Sequence, residues 1–157
     1  MHAFGVGINA GVPFGDGSDK YNFVTGVTAK FEFPAGSNLF KIVATTGLDI
    51  FSIKDPLKQA DKDSFIPVEF GGKFFFHKFY LEGDAGLSIS TNSPSSNYTG
   101  QALGVVFAPT IGYTLRTLDM QAVDFSLRYE GRTSSPGTIN YVALRVGYRF
   151  SFSKRVF

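Results

Sequence analysis

The chain has no cysteine and no tryptophan, only two histidines and two methionines, and a charged fraction of just 18%. Without cysteine there can be no disulfide framework and no thiolate-based metal site, and the redox compartment leaves no trace. Lys and Arg number 15 against 13 Asp and Glu, so the net charge of +2 supplies no basic field of the kind a nucleic-acid binder needs, and no nucleic acid is expected as a partner. Long apolar runs are missing as well. The longest, Leu103 to Leu115, covers about thirteen residues and is interrupted by Gly, Thr and Pro, whereas a spanning helix needs about twenty. The opening stretch, MHAFGVGINAG, lacks the basic n-region and long apolar h-region of a secretory signal, so an exported protein is expected here in mature form.

Glycine and phenylalanine are abundant, eighteen of each, with seven tyrosines, in 157 residues. Both classes favour β structure with tight turns. The length and the 43% hydrophobic content suit a single domain, 1–157. Along the chain the residues alternate with period two, the signature of strands. Phe4, Val6, Ile8 and Ala10 lie on one parity against Gly5, Gly7 and Asn9; Val142, Leu144, Val146, Tyr148, Phe150 and Phe152 oppose Tyr141, Ala143, Arg145, Gly147, Arg149 and Ser151. The same reading predicts eight strands, at about 3–12, 21–33, 39–53, 65–76, 79–90, 102–116, 120–130 and 139–152. Connections alternate in length. Pro13 to Lys20, Lys54 to Ser64, Thr91 to Gln101 and Gly131 to Thr138 are long; Pro34 to Asn38, His77-Lys78 and Thr117 to Asp119 are short. All long loops therefore fall at one end of the strands.

Alternation alone leaves open which face is inside. Volume decides, because eight strands close into a barrel only wide enough for its own side chains or one small ligand. The apolar parity carries far more bulk than that lumen can hold, so it must face outward. The other parity is rich in Gly, Ala, Ser and Thr and carries charges of both signs, which suits a tight polar interior. A closed wall with an apolar outside and a ladder-satisfied backbone belongs in lipid. The expected fold is all-β: an eight-stranded antiparallel up-and-down transmembrane barrel. Its expected lumen charges are Lys30, Glu32, Lys41, Asp49, Glu69, Lys73, Glu82, Asp84, Arg116, Asp124, Arg128, Glu130, Arg145 and Arg149, seven acids and seven bases. Phe4, Phe31, Phe33, Phe40, Phe74, Phe76, Phe79, Tyr113, Phe150 and Phe152 fall near the short-turn end as an interfacial girdle. Tyr21, Phe23, Phe51, Phe65 and Tyr129 are expected to form a sparser belt at the other end.

On this strand rhythm, loop alternation and terminal strand YVALRVGYRFSF, the chain from residue 3 to 152 resembles the small eight-stranded bacterial outer-membrane barrels of the OmpX type and the OmpA transmembrane domain, including porin-family barrels of Bacteroidetes. The resemblance implies an integral outer-membrane protein with short periplasmic turns and longer extracellular loops. It implies outer-membrane lipid and lipopolysaccharide as neighbours, other outer-membrane proteins as partners in a complex, and insertion by the barrel assembly machinery through Tyr148, Phe150 and Phe152. One departure is the tail Ser153 to Phe157, where such a signal usually ends the chain and where Phe157 has the wrong parity.

Members of this group differ in role, so function needs its own argument. Balanced lumen charges suggest internal pairing that plugs the bore, and hence a structural or binding protein or an accessory subunit of a larger complex. A narrow channel for small solutes is one alternative. A lipid-modifying enzyme is another, but it would need a His, a Ser and a carboxylate near the outer rim, and both His2 and His77 are expected at the periplasmic end. No enzyme activity, cofactor or metal is expected. The loop carboxylates Asp16, Asp19, Asp55, Asp61 and Asp63 lack EF-hand spacing and read as solvated loops. The most specific expectation concerns FGGKFFFHKFYLE: with His77-Lys78 as the turn, Phe76 faces Phe79, Phe74 faces Leu81, and Lys73 meets Glu82 in the lumen. His-Lys offers neither Gly nor Asn for a positive φ, so a one-residue shift is the weak point of this register.

Overall fold

In a computed structural model of the chain, residues 1–14, 21–53, 62–90, 103–134 and 137–152 are described. They form eight strands: β1 (His2–Phe14), β2 (Tyr21–Pro34), β3 (Phe40–Ile53), β4 (Lys62–Phe76), β5 (Phe79–Ser90), β6 (Leu103–Leu118), β7 (Gln121–Ser134) and β8 (Gly137–Phe152). Each strand pairs antiparallel with the next, and β8 returns to β1, so the barrel is closed.

Burial is inverted relative to a water-soluble fold. Lys73 is 0% exposed and Glu69 1%, while Ile8, Phe70 and Leu144 are each 65% exposed. The parity seen in the sequence is the cause, since side chains alternate across a strand and one face of every strand is apolar. Only hydrocarbon accommodates such an outer wall around a satisfied backbone.

The β4–β5 hairpin has the expected register: Phe76 pairs with Phe79, Phe74 with Leu81 and Lys73 with Glu82. His77 meets the turn's demand by adopting φ 59°, the sign that a type II′ turn requires at its first central residue. The β2–β3 turn uses Gly36 at φ 73°, with the Ala35 N–H donating to the Phe40 carbonyl at 3.2 Å. The third short turn brings Leu118 opposite Gln121, with a register shift between Arg116 and Leu118.

Strand lengths depart from expectation at the long-loop end. β7 continues to Ser134 and β8 starts at Gly137, and these two residues pair, leaving only 135 and 136 between the strands. The expected long loop from Gly131 to Thr138 is therefore mostly ladder. Its alternation supports this, since Glu130 and Arg132 point inward and Thr133 outward. The Ser-rich composition that reads as loop is compatible with strand where Thr and Ile flank it.

Inside, small residues make room for large ones. Gly112 pairs with Tyr80, and a Cβ at Gly112 would collide with the Tyr80 ring. Tyr80 is thereby laid flat in the lumen beneath Lys73, whose Nζ stands 3.9 Å from the ring centroid. Gly83, by contrast, is on the lipid-facing parity, and a Cβ there would meet nothing within 4 Å. Gly112→Val should lower unfolding free energy by about 1–3 kcal/mol through overpacking, and Gly83→Ala should change it by no more than about 0.5 kcal/mol. Urea titration of the refolded barrel in micelles, followed by far-UV circular dichroism, measures both.

Candidate functional site: the lumen charge network

The inward charges meet mainly across the bore rather than along the wall. In the half nearer the short turns, Glu32 on β2 accepts from Lys73 on β4 at 2.6 Å, from Lys41 on β3 at 2.8 Å and from Arg149 on β8 at 3.2 Å. Asp124 on β7 lies 3.6 Å from both Lys73 and Arg149 and accepts from the Thr114 hydroxyl at 2.6 Å. Lys30 on β2 reaches Glu82 on β5 at 2.5 Å. Lys73 is also 3.9 Å from Glu82, its neighbour across the ladder. The Phe75 ring lies among three cations, with Lys41, Lys73 and Arg149 at 5.2, 5.0 and 5.3 Å from its centroid. Each such contact is favourable where water is excluded.

Nearer the long loops, Arg128 on β7 donates to Glu69 on β4, to Asp84 on β5 at 3.1 Å and to Glu130 on its own strand at 3.3 Å. Arg132 donates to Glu130 at 2.7 Å and to Asp49 on β3 at 3.2 Å. The Tyr141 hydroxyl donates to Glu130. Above this layer Val24, Phe51, Tyr141 and Ala143 form an apolar cluster with Phe65 and Ile139 against it. Arg132 lies over the Phe65 ring at 4.6 Å and over Phe51 at 5.2 Å. Arg145, between the halves, donates to Asn9 at 2.7 Å, and Asn9 donates to Thr28 at 2.9 Å.

Thirteen of the fourteen expected lumen charges are enclosed in the lumen, and the fourteenth, Arg116, pairs with inward Ala122 on the same face but stands at the open mouth. Arg116 is exposed because the barrel ends there: the register shift toward the β6–β7 turn follows it directly, and no further layer of side chains covers it. Arg132 is the inward charge that sequence reasoning missed, since strand seven was expected to stop at Glu130. Its signal was there, the parity of Arg128 and Glu130 carried on by two residues. Phe51 and Phe65, expected in an outer aromatic belt, are lumenal: they have the parity of Asp49 and Glu69, and their rings pack edge to face at 5.2 Å. Phe23 and Tyr129 are exposed, and Phe14 packs on Tyr129 at 5.7 Å; the side chain of Tyr21 lies outside the described residues.

The girdle residues share the lipid-facing parity, and register aligns them. Phe150, Phe4 and Phe31 face one another across β8, β1 and β2; Phe40 faces Phe74; and Phe76, Phe79 and Tyr113 run across β4, β5 and β6. Phe33 and Phe152 extend the row on either side of His2, which packs edge-on against Phe33 at 5.8 Å. Tyr148 and Phe150 are in ring contact at 4.8 Å. The loop carboxylates Asp16, Asp19, Asp55 and Asp61, the Asp63 side chain and the tail 153–157 lie outside the described residues.

Removing one partner of a buried pair leaves the other charge uncompensated. Lys73→Met strips a cation from Glu32, Glu82 and Asp124 together, and should destabilise the barrel by about 3–5 kcal/mol. Lys41→Met, nearer the mouth and with Lys73 and Arg149 still on Glu32, should cost no more than about 1 kcal/mol. Urea midpoints of the two variants in one micelle system test this ordering.

No family model matches the chain, and no curated protein sequence matches it. Solved structures do. The outer membrane protein Ail of Yersinia pestis in a bilayer nanodisc superposes with a TM-score of 0.61 at 15% identity, over 96% of this chain and 100% of that one. Neisserial surface protein A superposes with a TM-score of 0.64 at 9% identity, over 96% and 97%. The N-terminal β-barrel domain of Pseudomonas aeruginosa OprF gives 0.55 at 12% identity, over 94% and 97%. At such identities the likeness speaks to architecture alone, and that is clear: the chain has the fold of the small eight-stranded outer-membrane barrels.

Proposed function

We propose that this chain is an integral outer-membrane barrel that passes no solute and acts through its surfaces, as a structural or binding protein and most simply as an accessory subunit of a larger outer-membrane complex. The observation that carries the reading is the set of ion pairs crossing the bore. Arg132 on β7 and Asp49 on β3 stand on opposite sides of an eight-stranded ring, yet their side chains meet at 3.2 Å. Lys30 and Glu82 are three strands apart and meet at 2.5 Å. Side chains that join across the axis occupy the path a solute would take. Between β7 and β8 only residues 135 and 136 separate the strands, so that part of the extracellular rim offers less contact area than the lipid-facing wall beside it. In this reading Tyr148, Phe150 and Phe152 serve insertion by the assembly machinery, and the aromatic girdle seats the barrel among outer-membrane lipids.

Two measurements test the proposal. In planar bilayers the refolded protein should give no discrete conductance steps; stable, reproducible openings would reject the plugged lumen and favour a narrow channel. In mild-detergent extracts of native membranes it should co-purify with a stoichiometric partner, and consistent recovery of the chain alone would remove the accessory role.

A further inference from the structure

The lumen charges are unevenly distributed along the axis. Toward the long-loop end the ion pairs of Asp49, Glu69, Asp84 and Glu130 among the described residues are with two cations, Arg128 and Arg132, and the Phe51–Tyr141 cluster closes over them. Toward the periplasmic end the balance reverses. Lys41, Lys73 and Arg149 share Glu32 and Asp124, while Glu82 is taken by Lys30. Arg116 adds another cation at this mouth and makes no ion pair among the described residues. The interior is therefore acidic at its sealed end and basic at the other.

The basic end opens into a vestibule of about 790 Å³, within the size range of small-molecule sites. Lys41, Arg116 and Arg149 line it, with Phe75 and Gln121 beside them and Asp119 as its one carboxylate among the described residues. The Phe75 ring holds Lys41 and Arg149 at nearly equal distances, 5.2 and 5.3 Å, so both cations are fixed before any ligand arrives. Glu32 and Asp124 together serve three cations, Lys41, Lys73 and Arg149, so one positive charge is left over before Arg116 is counted. Arg149 is 8% exposed, and its Nε has no hydrogen-bond partner among the described residues. A concave site of one charge sign within low-dielectric walls focuses its field outward.

We propose that the periplasmic vestibule is a binding site for a multiply charged anion of carboxylate or phosphate chemistry, held by Arg116, Arg149 and Lys41 over the Phe75 ring. The site does not depend on whether the barrel works alone or in a complex. Calorimetric titration of the full chain in uncharged-detergent micelles, with tripolyphosphate and with citrate as probes, tests it. Saturable binding of either probe is expected; tripolyphosphate alone would point to a phosphate source, citrate alone to a carboxylate source. Arg116→Glu should weaken it by at least about tenfold, the loss of one charge-assisted contact. Lys78→Glu, an exposed charge on the same rim but outside the vestibule lining, should leave binding within about twofold of the parent. Far-UV circular dichroism checks that both variants are folded. Absence of saturable binding, or equal weakening by the two variants, would overturn the proposal.

Discussion

Closure of β8 onto β1, continuous from His2 opposite Phe152 to Phe14 opposite Asn140, is the constraint on which the rest of the molecule depends. In hydrocarbon no water is available to satisfy a free strand edge, so a sheet survives there only if it has none. Once the edge is removed, the number of strands sets the circumference, and eight strands allow a bore that side chains fill. The apolar residues must then face out and the polar ones must satisfy each other within. The Phe75 ring among its cations, Tyr80 seated over Gly112 and Arg128 reaching three carboxylates are local solutions to that one restriction.

Neighbour relations along the wall were legible in the sequence, and contacts across the bore were not. Lys73 and Glu82 illustrate both. Their places on either side of the β4–β5 ladder follow from parity and turn position, and the structure pairs them there. Their closest charge partners are elsewhere, Glu32 for Lys73 at 2.6 Å and Lys30 for Glu82 at 2.5 Å, against 3.9 Å between the two. Parity is a one-dimensional property of a strand, whereas which layer of one strand meets which layer of a distant strand depends on tilt and stagger around the whole ring. No local pattern encodes that.

The misplaced residues have equally physical causes. Phe51 and Phe65 suit an outer belt by residue type, but their parity points inward; position within the alternation outweighs hydrophobicity where a lumen needs an apolar lid. Arg116 keeps the inward parity but is exposed at the mouth, because the strand's regular register and the barrel end there together. Arg132 lies beyond the predicted end of strand seven because the Gly, Thr and Ser around it have loop composition, whereas strand continuity is decided by the ladder with β8. In each case the alternation was the better guide, except where the backbone itself departs from it.

A charged lumen is a costly way to fill a barrel, since buried pairs often do no better than apolar replacements of the same volume. Its value is clearer against the alternative registers. A one-residue slip of any strand exchanges its two faces. For β4 that would carry Lys73 and Glu69 into hydrocarbon and bring Phe70 and Phe74 into a bore with no room for them. A lysine on the lipid face costs about 2–4 kcal/mol at mid-membrane and about 0–1 at the interface; Lys73 lies between the two depths, and the steric misfit adds to its cost. A lumen lined with alanine and valine would carry no such penalty, because either face could then meet lipid. The ion pairs thus contribute less through the stability of the correct register than through the instability of every neighbouring one. Lys73, Arg128 and Arg132 matter most in this respect, because each reaches partners on other strands and so ties its own strand's register to theirs.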